Sequence, residues 1–134
     1  MASDNNDNIK SQMYKGYIEY CILMIIKSRT TYSLDIINAL KEAGLDIVEG
    51  TLYPLLTRMK NKNLLSYTWR ESQAGPPRKY YKITPEGIAS LEELENTWNL
   101  LSSALEKLKQ SCLENSTENP ERFQPNNDQD NERD

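Results

Sequence analysis

The stretch Val48–Ile83 constrains the fold most, because its hydrophobic spacing changes there from helical to strand-like. Leu52, Leu55, Leu56 and Met59 recur at helical spacing behind Glu49-Gly50-Thr51, which gives one apolar face. Leu64-Leu65 follows. Two strand-like runs come next, Ser66–Arg70 and Arg78–Ile83, with Gly75-Pro76-Pro77 in the loop between them. Such an order lays an amphipathic helix beside a two-stranded ribbon. Thr51, Tyr53, Thr57, Arg58 and Lys60 stay off the apolar face and are open to a partner. From Glu49 to Lys82 there are seven bases against two acids, net +5, in a chain whose net charge is −4. Basic residues on a projecting element suit a polyanion, and Arg78 and Lys79 at the base of the loop are the expected phosphate contacts.

Composition sharpens this reading. The 134 residues, 37% hydrophobic and 27% charged, suit one domain with flexible ends. Acid is concentrated at one end. Residues 114–134 hold seven acids and two bases, net −5, so the remainder is close to neutral with one basic patch. The chain has no histidine, which excludes Ser-His-Asp and Cys-His catalysis and leaves a zinc site very hard to build. No nucleophile–base pair, metal cluster or phosphate-cradling loop can be assembled, so no catalytic residue, metal or cofactor is expected. Cys21 and Cys112 lie on apolar helical faces without a surrounding motif, as buried reduced thiols of a cytoplasmic protein do. The longest apolar run, Tyr20–Ile26, is far short of the ~20 residues that span a bilayer, and the start lacks a signal peptide's basic flank.

In chain order, residues 1–8 are Asp/Asn-rich and read as disordered. A helix over about Ile9–Lys27 becomes hydrophobic nearly all round in its second half, which implies burial on two sides and hence a second subunit. Arg29-Thr30-Thr31 reads as a turn. The next helix takes Ser33 as N-cap, buries Leu34, Ile37 and Leu40, and ends at Gly44. Three helices followed by a hairpin is the order of a winged helix-turn-helix, here over residues 9–83. Thr84-Pro85-Glu86 then starts a helix expected over residues 84–113. On it Leu91, Leu94, Trp98, Leu101, Leu105, Leu108 and Cys112 follow alternating spacings of three and four, the a and d positions of heptads. A helix of roughly 28 residues is ~42 Å long, more than so small a domain can cover, so a second copy is expected against it. The expected architecture is mainly α with a small β-hairpin: a winged helix-turn-helix, a long C-terminal dimerisation helix, and a disordered acidic tail over 114–134.

Gly50-Thr51-Leu52-Tyr53-Pro54-Leu55-Leu56-Thr57-Arg58-Met59, with Gly75-Pro76-Pro77-Arg78-Lys79-Tyr80-Tyr81-Lys82-Ile83-Thr84-Pro85-Glu86-Gly87, resembles the PadR family of transcriptional regulators. The likeness covers about residues 13–112. The single C-terminal helix resembles the short subfamily, including its multidrug-binding members. The resemblance implies a homodimeric repressor on double-stranded DNA, with the last helix packed against the partner's first. It places Ser33, Thr51, Tyr53, Thr57, Arg58, Lys60, Arg78 and Lys79 at the DNA, and Leu91, Leu94, Trp98, Leu101, Leu105 and Leu108 in the dimer seam. It also implies a planar aromatic effector at Trp98 on the dimer axis, with Tyr20, Met24, Leu91, Glu95 and Ser102 around it. Trp98 filling the seam as a large a-position residue is the equal alternative, and Glu95 stands where drug-binding relatives carry an aromatic ring. A reading from another class, a winged helix serving as a protein-interaction module, has the basic concentration on the third helix and wing against it.

Overall fold

The computed structural model describes the backbone of residues 2–118 and the side-chain surroundings of residues 9–115. Its elements are α1 (Ala2–Ser28), β1 (Thr31–Tyr32), α2 (Ser33–Glu42), α3 (Glu49–Asn61), β2 (Leu65–Arg70), β3 (Arg78–Ile83) and α4 (Pro85–Glu118). β2 and β3 pair antiparallel from Leu65↔Ile83 out to Arg70↔Arg78. Thr31, expected in a turn, and Tyr32, which adjoins the expected helix start, instead form a third strand that pairs with Tyr81 and Tyr80. Two residues are too short for any periodic pattern, and the pairing comes from β3, far along the chain. The sheet order is β1-β3-β2.

One unit ends at Glu95 and the other begins at Asn96, so the division falls inside α4. The core of the first unit is built by Ile18, Ile22, Leu23 and Ile26 of α1, Ile36 and Leu40 of α2, and Leu52, Leu56 and Met59 of α3, closed by Leu65, Tyr81 and Leu91. The α3 residues follow the expected apolar row. In α2 the phase differs: Ile36 and Leu40 are buried while Leu34 is 42% exposed. Ser33 is buried, and its hydroxyl is hydrogen-bonded to the Tyr53 hydroxyl of α3 at 2.9 Å. The N-cap is therefore Tyr32, without a side-chain cap bond, rather than Ser33.

Helix ends are set by two Schellman closures. At α2 the Gly44 and Leu45 amides donate to the carbonyls of Lys41 and Leu40, with Gly44 at φ +96°. At α3 the Asn63 and Leu64 amides donate to Lys60 and Met59, with Asn63 at φ +66°. The start of α4 follows the Thr-Pro-Glu signal: the Gly87 amide donates to the Thr84 hydroxyl at 2.9 Å. The same hydroxyl donates to the Asn63 carbonyl at 2.7 Å, which pins the start of α4 to the end of α3.

Two helix bounds differ from expectation. α1 begins at Ala2 rather than near Ile9, because extending a formed helix costs far less than nucleating one, even through Asp/Asn-rich sequence. α4 runs to Glu118 rather than Leu113 for the same reason. The rest of the expected acidic tail, residues 119–134, lies outside the described residues. Leu91 is buried in its own unit's core rather than free for a dimer seam, and Cys112 is exposed in the chain, not buried. Among the described residues no helix is long and apolar enough to cross a membrane.

Candidate nucleic-acid interface

Burial of Leu52, Leu56 and Met59 leaves Thr51, Tyr53, Thr57, Arg58 and Lys60 exposed on the other faces of α3. The wing lies beside them. A cleft of about 130 Å³ is lined by Thr57, Lys60 and Asn61 of α3 together with Tyr67 and Lys79 of the wing. Tyr53 faces a larger groove of about 390 Å³ whose other walls include Tyr32, Trp69, Arg78 and Lys79. The two elements thus present one continuous surface, as the order helix then ribbon requires.

Strand alternation divides the wing's side chains between two faces. The inner face begins with Leu65 and Tyr81 in the core and continues outward through Tyr67 to Trp69, which is 61% exposed. Lys79, paired across the strands with Trp69, lies with its ammonium 4.5 Å from the Tyr67 ring centre and 5.5 Å from that of Trp69. Lys60 approaches the same Tyr67 ring at 5.8 Å. On the outer face Arg70 stacks 4.5 Å over Tyr80, and Arg78 stacks 4.6 Å over Tyr32. Tyr32 and Tyr80 are themselves in contact at 5.4 Å between ring centres. Each cation thereby lies against an aromatic surface, a contact that uses none of its N–H donors.

Arg70 and Arg78 are direct cross-strand partners. Like charges in that position destabilise a hairpin, and among the described residues neither has an acidic partner. The arrangement makes sense as a site for an anion supplied from outside. Arg70 is absent from the residues that sequence reasoning selects. Its signal is register: only with the loop closed symmetrically does it come opposite Arg78.

Two expected contacts are placed otherwise. Ser33 is buried against Tyr53 and supports α3 from behind rather than facing outward. Arg58 is tethered to α1: its Nη2 donates to Glu19 Oε2 at 2.6 Å and its Nε to the same oxygen at 3.2 Å. Its side chain keeps 44% exposure, against 15% for Glu19.

Of the residues expected around an effector, Tyr20 and Glu95 come near one another. Burial first, and then the Glu95 charge, raise the Tyr20 phenol above its ordinary pKa. Met24 is 50% exposed and Trp98 44%, Ser102 is half-buried, and Leu91 lies in the core. The exposed leucines of α4 include Leu101, Leu105 and Leu108, while Leu94 packs partly on the core.

Residues 22–93, more than half of the 134-residue chain, match the transcriptional regulator PadR-like family. The chain belongs to the PadR-like family of transcriptional regulators. Its fold is similar to a PadR-like transcription factor from Bacteroides fragilis, 55% identical, covering 75% of this chain and 98% of that one with a TM-score of 0.67. A PadR-like transcriptional regulator from Bacillus cereus is 40% identical over the same shares of the two chains, with a TM-score of 0.68. A PadR family regulator from Eggerthella lenta is 29% identical, covers 80% of this chain and 94% of that one, and gives a TM-score of 0.70. This PadR-like chain therefore carries the winged-helix fold of the family. The family and these neighbours are transcriptional regulators.

Proposed function

We propose that this PadR-like regulator acts as a homodimeric repressor that binds a pseudo-palindromic site on double-stranded DNA. The observation that carries the reading is the group of cations Arg70, Arg78 and Lys79, without acidic partners among the described residues, beside the exposed face of α3. Tyr53 and Thr57 enter the major groove with α3, and Thr51 and Lys60 lie at its edges. The wing cations hold the adjacent phosphates, which set register rather than sequence. Two-fold symmetry places the half-site centres one or two helical turns apart. With DNA as target, the protein works in the cytoplasm.

The dimer is formed through α4, where Leu101, Leu105 and Leu108 follow heptad spacing and are exposed in the single chain. A planar aromatic effector at Trp98 would release DNA by favouring a spacing of the two α3 helices that the operator does not fit.

The test is selection of bound duplexes from a random pool, followed by binding of the Arg78→Ala/Lys79→Ala variant to the selected site. A palindrome is expected from the selection. The variant should lose affinity for all sequences by about tenfold or more, with a salt slope shallower by about two. Unchanged affinity with intact folding removes the wing from the interface.

A further inference from the structure

The groove between β1–α2, the first turn of α3 and the wing has a composition that DNA binding does not account for. Its volume is about 390 Å³, within the range of small-molecule sites. Tyr32, Tyr53 and Trp69 provide aromatic walls, β3 brings Arg78 and Lys79, and Glu49 enters from α3. Tyr53 and Trp69 are 45% and 61% exposed, so ring surface is available. The Ser33–Tyr53 hydroxyl pair at 2.9 Å ties the α2 and α3 walls together.

Glu49 is the informative residue. Among the described residues it pairs with neither Arg78 nor Lys79, so opposite charges stand apart across one groove rather than cancelling. A DNA phosphate has no use for a carboxylate there and is repelled by it. A ligand that satisfies all three chemistries needs a planar ring for the aromatic walls, a phosphate for the cations, and N–H donors for the carboxylate. Guanine presents two N–H groups side by side on one edge, matching the two oxygens of an acceptor-only carboxylate. Adenine presents one donor beside an acceptor nitrogen, which a carboxylate repels.

We propose that this groove binds a guanine mononucleotide, with the base on Trp69, its N–H edge on Glu49 and its phosphate on Lys79, which shares the wing's inner face with Trp69. Binding itself is independent of the DNA reading. One consequence rests on it: nucleotide and operator share Lys79, so they exclude one another without any change in dimer geometry.

The chain has two tryptophans, so Trp98→Phe leaves Trp69 as the sole reporter at the groove. Titrating this full-length variant with GMP at low ionic strength should give saturable quenching. AMP and guanosine should each bind at least tenfold more weakly, and inorganic phosphate at the same concentrations should give no quenching. Adding Glu49→Gln should bring GMP and AMP to within about threefold of each other while the far-ultraviolet circular dichroism is unchanged. The proposal is overturned by the absence of saturable binding in both fluorescence and calorimetry. It is equally overturned by equal responses to GMP and inorganic phosphate, or by GMP binding that survives Arg78→Ala/Lys79→Ala. In wild-type protein GMP should displace a labelled operator duplex. If GMP binds as expected and no duplex binds at all, the nucleotide site stands and the DNA reading falls.

Discussion

At the scale of single residues, Gly87 shows how little space the junction of wing and α4 allows. A methyl group there would overlap the Leu64 carbonyl and come within 2.7 Å of Ile83 Cγ1. The Leu64 carbonyl cannot withdraw, because it accepts from the Thr84 amide at 3.1 Å. Gly87→Ala should therefore cost about 1–3 kcal/mol through overpacking, and Thr84→Ala about 1 kcal/mol through loss of the cap. Urea unfolding monitored by circular dichroism measures both, and a neutral Gly87→Ala would contradict the close approach. Two weak acids, half-buried Cys21 and buried Tyr81, set the alkaline limit. Burial raises the Cys21 thiol, opposed in part by a hydrogen bond with Tyr17. Burial also raises the Tyr81 phenol, helped by neighbouring Tyr53 and Tyr67. Both are neutral in the folded state, with folded pKa values above the unfolded ones. The stability they contribute is complete below the unfolded values, about 8.5 for Cys and about 10 for Tyr, and is lost as pH rises through the folded values. Thermal midpoints should fall above about pH 9, and the fall above about pH 10 should be smaller in Tyr81→Phe. A fall of the same size in that variant would assign the alkaline limit elsewhere.

At the scale of elements, what the sequence made legible was local and what it hid was long-range. The apolar row Leu52, Leu56, Met59 and the Thr84-Pro85 helix start are written within a few residues, and the structure keeps both. β1 was hidden because its partner residues, Tyr80 and Tyr81, stand far along the chain. On α2 Leu40 is buried and Ile37 packs partly on the core as expected, while the fully buried place falls to adjacent Ile36 and Leu34 is exposed. In the candidate site, Arg78 and Lys79 stood out as basic residues beside a Gly-Pro-Pro loop. The role of Glu19 did not, since it meets Arg58 across 39 positions of chain. That contact couples α1 to α3. Glu19 orients Arg58, and its carboxylate also opposes an approaching phosphate. Glu19→Ala should change folding stability by no more than about 1 kcal/mol. It should tighten DNA binding several-fold and steepen the salt slope by about one as Arg58 becomes free for a phosphate. Weaker binding in Glu19→Ala, with the fold intact, would mean that the tether holds Arg58 in its working position.

At the scale of the whole molecule, the buried apolar core lies in the first unit, and the second leaves a row of leucines uncovered. From Asn96 onward α4 has Leu100, Leu101, Leu105, Leu108 and Leu113 at 53–68% exposure. The hydrophobic effect gives roughly 25 cal/mol for each Å² of such surface withdrawn from water. A row of exposed leucines at heptad spacing is therefore stable only when covered, and an identical helix offers an identical row. The proposed DNA recognition depends on this. In the proposed dimer a single wing and α3 engage one half-site, and joining two through α4 makes the second contact intramolecular, which raises affinity without any new contact at the DNA. Leu101→Lys/Leu105→Lys should yield a monomer at micromolar concentration in sedimentation, with the circular dichroism of the winged helix retained. The same variant should lose at least a hundredfold in affinity for a full palindrome and show about half the parent's salt slope. Its affinity for an isolated half-site should match that of the parent. A variant that stays dimeric would place the subunit contact elsewhere. A monomer that binds the palindrome as tightly as the parent would mean that symmetry plays no part in recognition.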